Sequence, residues 1–414
     1  MNSLRPSPSP RAVGWIIAIL FGFSFVSYME RVNISVAAEL MMPALALSRR
    51  EIATIFNSFL IGYAIFQVPA GWLGDRFGAR RVLGFSALLW GVITVLSGFM
   101  PGALSRTVGV TLATLWVLRF LLGATEATTY PVAARAVHLW ISSSRRGFGS
   151  SLMLMGSSVA SAITAPLVSW TMLRYGWRAS FYLTSTFAFV IALLWLRFAP
   201  TPPTVEQPAT AAPPRTGRWL NTNVVLLSIS YISEGYLLFT FVSWLYMYLV
   251  EVRGFSLVQG GLVTSLPWVA AIVATPLGGL VSDYLSGRLG RIAAARILIM
   301  TGYSCSGLLL LAAAQAHSRS IAVLALCISL GSLYLAESSF WTTANLIAGD
   351  HAGVAGGFMN TVGLLGGVAS NALVPLLVEH YGWIAAFSSG TFMGLFCALV
   401  WWFLGKRLAL PNAV

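Results

Sequence analysis

Charged residues are scarce in this chain. Lys, Arg, Asp and Glu make up 9% of the 414 residues, whereas soluble globular domains carry about a quarter. Hydrophobic residues make up 57%, and the mean hydropathy is +0.80. So few charges cannot cover the surface of a soluble protein of this length. The composition therefore predicts an all-α polytopic membrane protein.

Cysteine and histidine are also rare. The three cysteines lie in apolar runs and have no metal-ligand spacing, so we interpret them as small core residues. The four histidines fall in predicted loops or at predicted helix ends, away from any arrangement of acid and nucleophile. These patterns give no support to a metal site, a cofactor or enzymatic chemistry. We therefore expect a protein that is not an enzyme.

Acidic residues are outnumbered by basic ones. The chain has 12 Asp and Glu against 25 Lys and Arg, a net charge of +13. The basic residues form short runs between apolar segments rather than a patch or a tail, which favours the positive-inside rule over nucleic-acid binding. We expect a membrane protein with both termini in the cytoplasm and no nucleic-acid partner. Arg49–Arg50 and Arg174/Arg178 run against this orientation.

Twelve apolar segments are long enough to cross about 30 Å of hydrocarbon. The first continues through Glu30–Arg31 to Met42, so we expect a retained helix rather than a cleaved signal peptide. The segments run at approximately 13–42, 52–74, 82–100, 108–137, 148–173, 179–199, 222–249, 257–282, 293–316, 320–347, 354–378 and 384–405. The predicted organisation is a six-helix bundle at 1–199, a Pro-rich cytoplasmic linker at 200–221, a second six-helix bundle at 222–405 and a tail at 406–414.

Two sequence motifs occur once in each half of the chain. RYGWRASF at 174–181 is repeated as HYGWIAAF at 380–387, an offset of 206 residues. GWLGDRFGARR at 71–81 is repeated more loosely as GLVSDYLSGRLGR at 279–291, with Asp75 and Asp283 offset by 208 residues. Two repeats at nearly one offset, each in the same topological position, indicate a parallel duplication. The predicted fold is two pseudo-symmetric six-helix bundles, an architecture typical of transporters.

The motif at 71–81 resembles the loop signature of the major facilitator superfamily. The resemblance implies that this motif and its weaker copy latch one face of a transporter during conformational change. The residues concerned are Gly71, Gly74, Asp75, Arg76, Gly78, Arg80, Arg81, Gly279, Asp283 and Arg288. The alternative is that the charges only set membrane topology, and it stays open for Arg80 and Arg81 above all.

Three further stretches are similar to the anion:cation symporter branch of that superfamily. They are YMERVNISVA, RFLLGATEATTYPV and GGFMNTVGLLGG. The branch includes sialin, the vesicular glutamate transporters and bacterial galactonate, glucarate and hexuronate permeases. It commonly has an acid–Arg pair in helix 1 and an Arg…Glu pair in helix 4. The resemblance therefore implies such pairs at Glu30–Arg31 and Arg119…Glu126.

Helix geometry suggests how these four charges interact. An unpaired charge at a helix centre costs about 2.5–3.5 kcal/mol, so two acids and two bases are expected to pair. Arg119 and Glu126, seven residues apart, share one helix face, and so do Tyr28 and Arg31. We expect Arg31, with Tyr28, to bind the carboxylate of an organic anion. Glu30 and Glu126 are the expected proton acceptors, tuned by Arg119. The alternative is a permanent salt bridge between helices 1 and 4.

Other polar residues in apolar segments are additional candidates for substrate binding. Each also has a structural alternative, as a core aromatic or as a polar contact between helices. The candidates are Tyr63, Glu234, Trp341, Asn360 and Asn371. Glu234 departs from the resemblance, because glutamate transporters carry an Arg in this region and sugar-acid permeases a neutral polar residue. Glu337 adds a second acid within the apolar segments of the C-terminal half.

These patterns predict a monomeric, proton-coupled symporter that imports a small organic anion, such as a sugar acid, across a lipid bilayer by alternating access. Sodium coupling and export remain alternatives. A non-transporting membrane sensor is a second class of function, although the linker and both tails are short for a signalling surface. A drug or metabolite exporter is a third, and the two intramembrane arginines count against it.

Overall fold

A computed structural model describes the backbone of residues 10–101, 107–140, 146–199 and 220–408. These residues form α-helices joined by short connections, and no strand occurs among them. The α-helices are α1 (Pro10–Leu45), α2 (Arg49–Phe77), α3 (Ala79–Phe99), α4 (Val108–Glu126), α5 (Thr129–Trp140), α6 (Arg146–Tyr175), α7 (Trp177–Phe198), α8 (Thr222–Phe239), α9 (Leu245–Glu251), α10 (Leu257–Leu289), α11 (Arg291–Gln315), α12 (Arg319–Ala348) and α13 (Ala352–Leu408). The predicted all-α membrane fold is confirmed.

Several predicted segments differ from the helices. The segment predicted at 108–137 is broken after Glu126 into α4 and α5. The segment predicted at 222–249 is α8 and α9, joined by a five-residue π-helical turn at Thr240–Trp244. The last two segments are joined as α13, which is kinked at Gly382 (φ 78°). In the described part of the chain nine stretches are long and apolar enough to cross a membrane, and the count of twelve stays a prediction.

The helices group into two compact units. Unit 1 comprises Met1–Ala46, Ser58–Thr164 and Thr171–Glu206, and unit 2 comprises Leu47–Asn57, Ala165–Trp170 and Gln207–Val414. The start of α2 and a short stretch of α6 thus belong to unit 2. Most of the predicted linker, 200–219, and the end of the predicted tail, 409–414, lie outside the described residues.

The duplicated RYGW and HYGW motifs have the same backbone role in both units. Gly176 lies between α6 and α7 with φ 81°, and Gly382 interrupts α13 with φ 78°. A side chain is strained in this left-handed region, whereas glycine is not. The glycine in each motif therefore lets one helix follow another with no loop between them.

Glycines also permit close helix crossings within each unit. In unit 1 a Cβ at Gly123 of α4 would collide with the carbonyl oxygen of Phe59 on α2. In unit 2 a Cβ at Gly235 of α8 would collide with the carbonyl oxygen of Gly363 on α13. Small residues let helix backbones approach this closely. The crossing in unit 1 brings Phe59 and its neighbours against α4.

Arginines that contradict the predicted orientation have local partners. Arg49 Nη2 lies 2.5 Å from Glu251 Oε2, and Arg50 Nε lies 2.6 Å from Glu379 Oε2, both within unit 2. In unit 1 Arg178 donates to the carbonyl oxygen of Pro101 at 2.7 Å. These three arginines lie where the positive-inside rule disfavours a positive charge, and each is bound by a carboxylate or a carbonyl oxygen nearby.

Candidate functional site

The central contact of unit 1 joins α1 to the last residue of α4. Arg31 Nε donates to Glu126 Oε2 at 3.0 Å, with side chains that are 8% and 0% exposed. Ser27 lies one turn before Arg31, and its hydroxyl donates to the same carboxylate oxygen at 2.6 Å. Arg31 Nη2 in turn donates to the Ser27 hydroxyl at 3.3 Å. Ser27 thus holds both members of the ion pair.

This pairing corrects the prediction that Arg119 is the partner of Glu126. Arg119 instead donates through Nη1 and Nη2 to the main-chain oxygen of Glu30, at 3.2 and 3.3 Å. The physical reason is that α4 ends at Glu126, where the last carboxylate can turn toward α1 rather than back along its own helix. The bond between Arg31 and Glu126 is charge-assisted and largely shielded from solvent, and such bonds are among the stronger ones in proteins.

Aromatic rings surround the Arg31 guanidinium. Its central carbon lies 4.7 Å from the ring centroid of Tyr63, 4.8 Å from that of Tyr28 and 5.0 Å from that of Phe59. Tyr28 lies three residues before Arg31, and the crossing of α2 with α4 supplies the other two rings. The faces of aromatic rings attract a cation, so the rings hold the guanidinium independently of its carboxylate partner.

Three neighbours of Arg31 were missed in the sequence analysis. They are Ser27, Phe59 and Tyr130, which interacts with Arg31 electrostatically and whose hydroxyl lies 3.2 Å from the Ser24 hydroxyl. Helical spacing could have indicated Ser27, four residues before Arg31, and Phe59, four residues before Tyr63. No local signal indicates Tyr130, because its position depends on the break between α4 and α5.

The Glu30 carboxylate lies apart from this ion pair. Its side chain is 2% exposed, and neither carboxylate oxygen has a hydrogen-bond partner among the described residues. Thr94 on α3 and Arg119 are its polar neighbours. Adjacent residues of a helix point about 100° apart, which directs Glu30 into the unit and Arg31 toward the rings. Unit 1 therefore contains one carboxylate bound by Arg31 and one with no such partner.

Unit 2 contains an acid with three donors and an acid with none. Glu337 accepts hydrogen bonds from the Tyr231 hydroxyl at 2.6 Å, Trp341 Nε1 at 2.9 Å and the Tyr303 hydroxyl at 3.3 Å. Glu234 is half-buried, and in the described part of the chain nothing donates to its carboxylate. The predicted residue Trp341 therefore belongs to the surroundings of Glu337. Tyr231 and Tyr303 were not predicted.

The two predicted asparagines do not share a site with each other. Asn360 and Asn371 are eleven residues apart on α13, which corresponds to roughly 16 Å along the helix. Asn371 is buried, and both polar atoms of its amide are without partners among the described residues. Asn360 is half-buried. One small ligand group cannot bind both side chains.

The duplicated motif that was predicted as a loop lies mostly on helix ends. Gly78 (φ 83°) separates α2 from α3, and Gly290 (φ 84°) separates α10 from α11. Arg80 Nη2 donates to the carbonyl oxygen of Leu196 on α7 at 2.6 Å. Arg76 lies over the Trp72 ring at 5.2 Å.

The other residues of this motif have few contacts. Asp283 and Arg81 are exposed, and Arg288 lies over the Tyr284 ring at 4.5 Å. A Cβ at Gly74 would lie 2.8 Å from a Val132 methyl group, and one at Gly71 would meet only Pro131, at 3.9 Å. A Cβ at Gly279 would meet nothing within 4 Å. The side chain of Asp75 lies outside the described residues.

The described residues contain no group of side chains that could bind a metal ion. Across the described residues, no three His, Cys, Asp or Glu side chains lie close enough to share a metal ion. The side chains described above can form ion pairs and hydrogen bonds, and their carboxylates can exchange protons.

Comparisons with known proteins agree with this architecture. The family model described as Major Facilitator Superfamily matches residues 20–371. A protein of Cupriavidus necator named "Probable sulfoacetate transporter SauU" is 32% identical over 387 residues, which cover 89% of this chain and 87% of that protein. The "Hexuronate transporter" of Bacillus subtilis is 28% identical, covering 92% of this chain and 90% of that protein. A solved bacterial homolog of the human lysosomal transporter Spinster covers 96% of each chain with a TM-score of 0.73 and 15% identity, which shows a shared fold.

Proposed function

Because the chain belongs to the Major Facilitator Superfamily and is a membrane transporter rather than an enzyme, we propose that it is a proton-coupled symporter of small organic anions. The single observation that carries this proposal is the buried pair of Arg31 and Glu126. Relatives named as transporters of sulfoacetate, hexuronate and galactarate or glucarate support the class of substrate. Import across a bacterial inner membrane by a monomer with both termini in the cytoplasm is part of the proposal.

The proposed coupling is a competition for one guanidinium. While Glu126 is ionised it occupies Arg31, and an incoming carboxylate or sulfonate meets a neutralised site. A proton on Glu126 removes its charge and leaves the Arg31 donors to the anion, whose geometry they match. The rings of Tyr28, Phe59 and Tyr63 keep Arg31 in place while its partner changes. Proton and anion are then bound together, and neither is bound stably alone.

Other predicted residues have supporting roles in this proposal. Glu30 is a second proton acceptor, which Arg119 affects through its charge. Tyr28 and Tyr63, whose rings contact Arg31, are the residues proposed to bind a hydroxyl group of the substrate. Within unit 2, the Glu234 carboxylate has no donor among the described residues, and it can accept from a hydroxyl or amino group. The acids of unit 2 disfavour a sugar-phosphate dianion as substrate. The helix ends around Gly78 and Gly290 act in conformational switching.

The test is uptake into proteoliposomes of radiolabelled glucarate, glucuronate and sulfoacetate under an imposed proton gradient. We expect accumulation that a protonophore abolishes and that Arg31→Ala removes, whereas Arg174→Ala, at an exposed arginine, leaves it intact. Binding of an anion without uptake would favour the membrane sensor. Accumulation driven by a sodium gradient alone would refute proton coupling. Transport that survives Arg31→Ala would refute the assignment of the anion site.

A further inference from the structure

We propose that unit 2 carries a binding site for the phosphate of an anionic phospholipid, formed by Arg296, Trp402, Gly405 and Lys406. This site, here called the Trp402 site, lies where α11 begins and α13 ends. Arg296 is five residues into α11, and Trp402 is six residues before the end of α13. At 1.5 Å per residue both lie within about 10 Å of a helix end, the level at which a membrane helix meets the lipid headgroups. The proposal is independent of the transported substrate.

Two cations share one indole ring at this site. The Arg296 guanidinium carbon lies 4.5 Å from the Trp402 ring centroid, and Lys406 Nζ lies 4.3 Å from it. The two charges are therefore no more than about 9 Å apart, and each is attracted by the ring. Trp402 itself is 45% exposed, and its neighbour Phe403 is 62% exposed. The indole thus faces outward from unit 2, with a positive charge near it on each helix.

Gly405 makes room for this arrangement. A Cβ at this position would lie 2.5 Å from Arg296 Cδ and 2.9 Å from Cγ. The aliphatic stem of Arg296 therefore lies across α13 at a residue without a side chain. The crossing directs the guanidinium to Trp402 rather than along α11. Arg296 is consequently held in place rather than freely extended.

No carboxylate neutralises the two cations in the described part of unit 2. Arg296 and Lys406 take part in no ion pair and no hydrogen bond there, and the charged groups of both lie over the Trp402 ring. By contrast, Arg49 and Arg50 have a glutamate each. Two like charges held close together repel one another, and an anion between them removes that repulsion. Basic pockets between membrane helices bind anionic lipid headgroups in this way.

The ligand expected from this chemistry is a phosphodiester whose acyl chains lie along the exposed apolar surface beside it. Arginine and lysine bind the phosphate oxygens, and an indole at the membrane interface is amphipathic. A free phosphate would meet the same cations but would gain nothing from Phe403 and its apolar neighbours. An anionic phospholipid uses both parts of the site.

The experiment measures phospholipid binding to the purified full-length chain by native mass spectrometry, with phosphatidylglycerol as the anionic lipid and phosphatidylcholine for comparison. We expect tighter binding of phosphatidylglycerol. Each cation near an anionic membrane lipid contributes about fivefold in affinity. Arg296→Gln with Lys406→Gln should therefore weaken phosphatidylglycerol binding about 25-fold. Gly405→Leu, which displaces one cation, should weaken it about fivefold.

The matched control is Arg174→Gln with Arg319→Gln, which removes the same charge from two exposed arginines that each lie over one ring. It should change the affinity less than twofold. An equal loss in this control, or equal binding of both lipids by the wild type, would overturn the proposal. If inorganic phosphate at the same concentration as the lipid displaces phosphatidylglycerol, the lipid proposal is overturned and the site binds small anions instead. If the double variant does not fold, Lys406→Gln alone, at an exposed position, should still weaken binding about fivefold.

Discussion

Replacing Glu126 by Gln should make anion binding tighter, not weaker. In the wild type an incoming anion must displace Glu126 from Arg31, and a hydrogen bond to a charged group contributes about 1.5–3 kcal/mol. Gln has a similar shape and can still accept from Ser27, but it is neutral. With the competing charge gone, anion affinity at neutral pH should rise about 10- to 100-fold. The gain reflects one bond, the 3.0 Å contact between Arg31 Nε and Glu126 Oε2.

The assay is isothermal titration of the purified protein with glucarate or sulfoacetate across a range of pH. Wild-type binding should strengthen as the pH falls, because protonation of Glu126 frees Arg31, whereas binding to Glu126→Gln should depend on pH much less. In proteoliposomes the variant should lose gradient-driven accumulation and keep counterflow exchange. Glu251→Gln, which breaks the exposed ion pair with Arg49, is the control and should change neither. A folded Glu126→Gln variant with equal or weaker affinity would refute the competition between Glu126 and substrate.

Three further predictions concern single side chains. Arg31→Lys keeps the charge but loses the planar fork, so anion affinity should fall at least tenfold in the same titration; unchanged affinity would contradict a forked contact. Gly123→Ala should lower the unfolding free energy by about 1–3 kcal/mol, since its Cβ strikes the carbonyl of Phe59, while Gly109→Ala, in open space on the same helix, should not. Hydrogen bonds from the amide and the hydroxyl of Ser48 lower the pKa of Glu51. The stabilisation that these bonds provide is therefore present above the ordinary pKa of Glu51. It is lost as the pH falls through the lowered pKa of Glu51. In thermal melts Ser48→Ala should be about 1 kcal/mol less stable than the wild type at pH 7. The difference should shrink in acid to the part due to the bond from the Glu51 amide to the Ser48 hydroxyl, which does not titrate.

The family and the helices of this protein could be predicted from its sequence, whereas most contacts between the helices could not. The four intramembrane charges stand out because charge is so rare, and the resemblance to the anion:cation branch that rests on them is confirmed by the relatives. The repeated glycines at 176 and 382 also follow from the sequence, because a left-handed residue between helices selects glycine.

The pairing of these charges could not be predicted in the same way. The partner of Glu126 depends on where α4 ends and on how α1 crosses it, and neither is a local property of the chain. Ser27 was missed because a serine in a helix is more often bonded to its own backbone. Trp341 lies four residues after Glu337 on α12, but the other two donors, Tyr231 and Tyr303, come from α8 and α11, and no spacing along the sequence brings them to Glu337.

The π-helical turn at Thr240–Trp244 limits how residue numbers can be transferred from relatives. A π-helical turn accommodates one residue more than an α-helical turn, so each position of α9, which follows it, is rotated by about 100° relative to an uninterrupted helix. In this register the hydroxyls of Tyr246 and Tyr248 reach the carbonyl oxygens of Leu257 and Ala313, at 3.0 and 2.9 Å. A homologue without the turn could align with this chain residue for residue and still direct those two side chains elsewhere. Within α9, Leu245–Glu251, equivalent residues of relatives are therefore those on the same helix face, not those in the same column of an alignment.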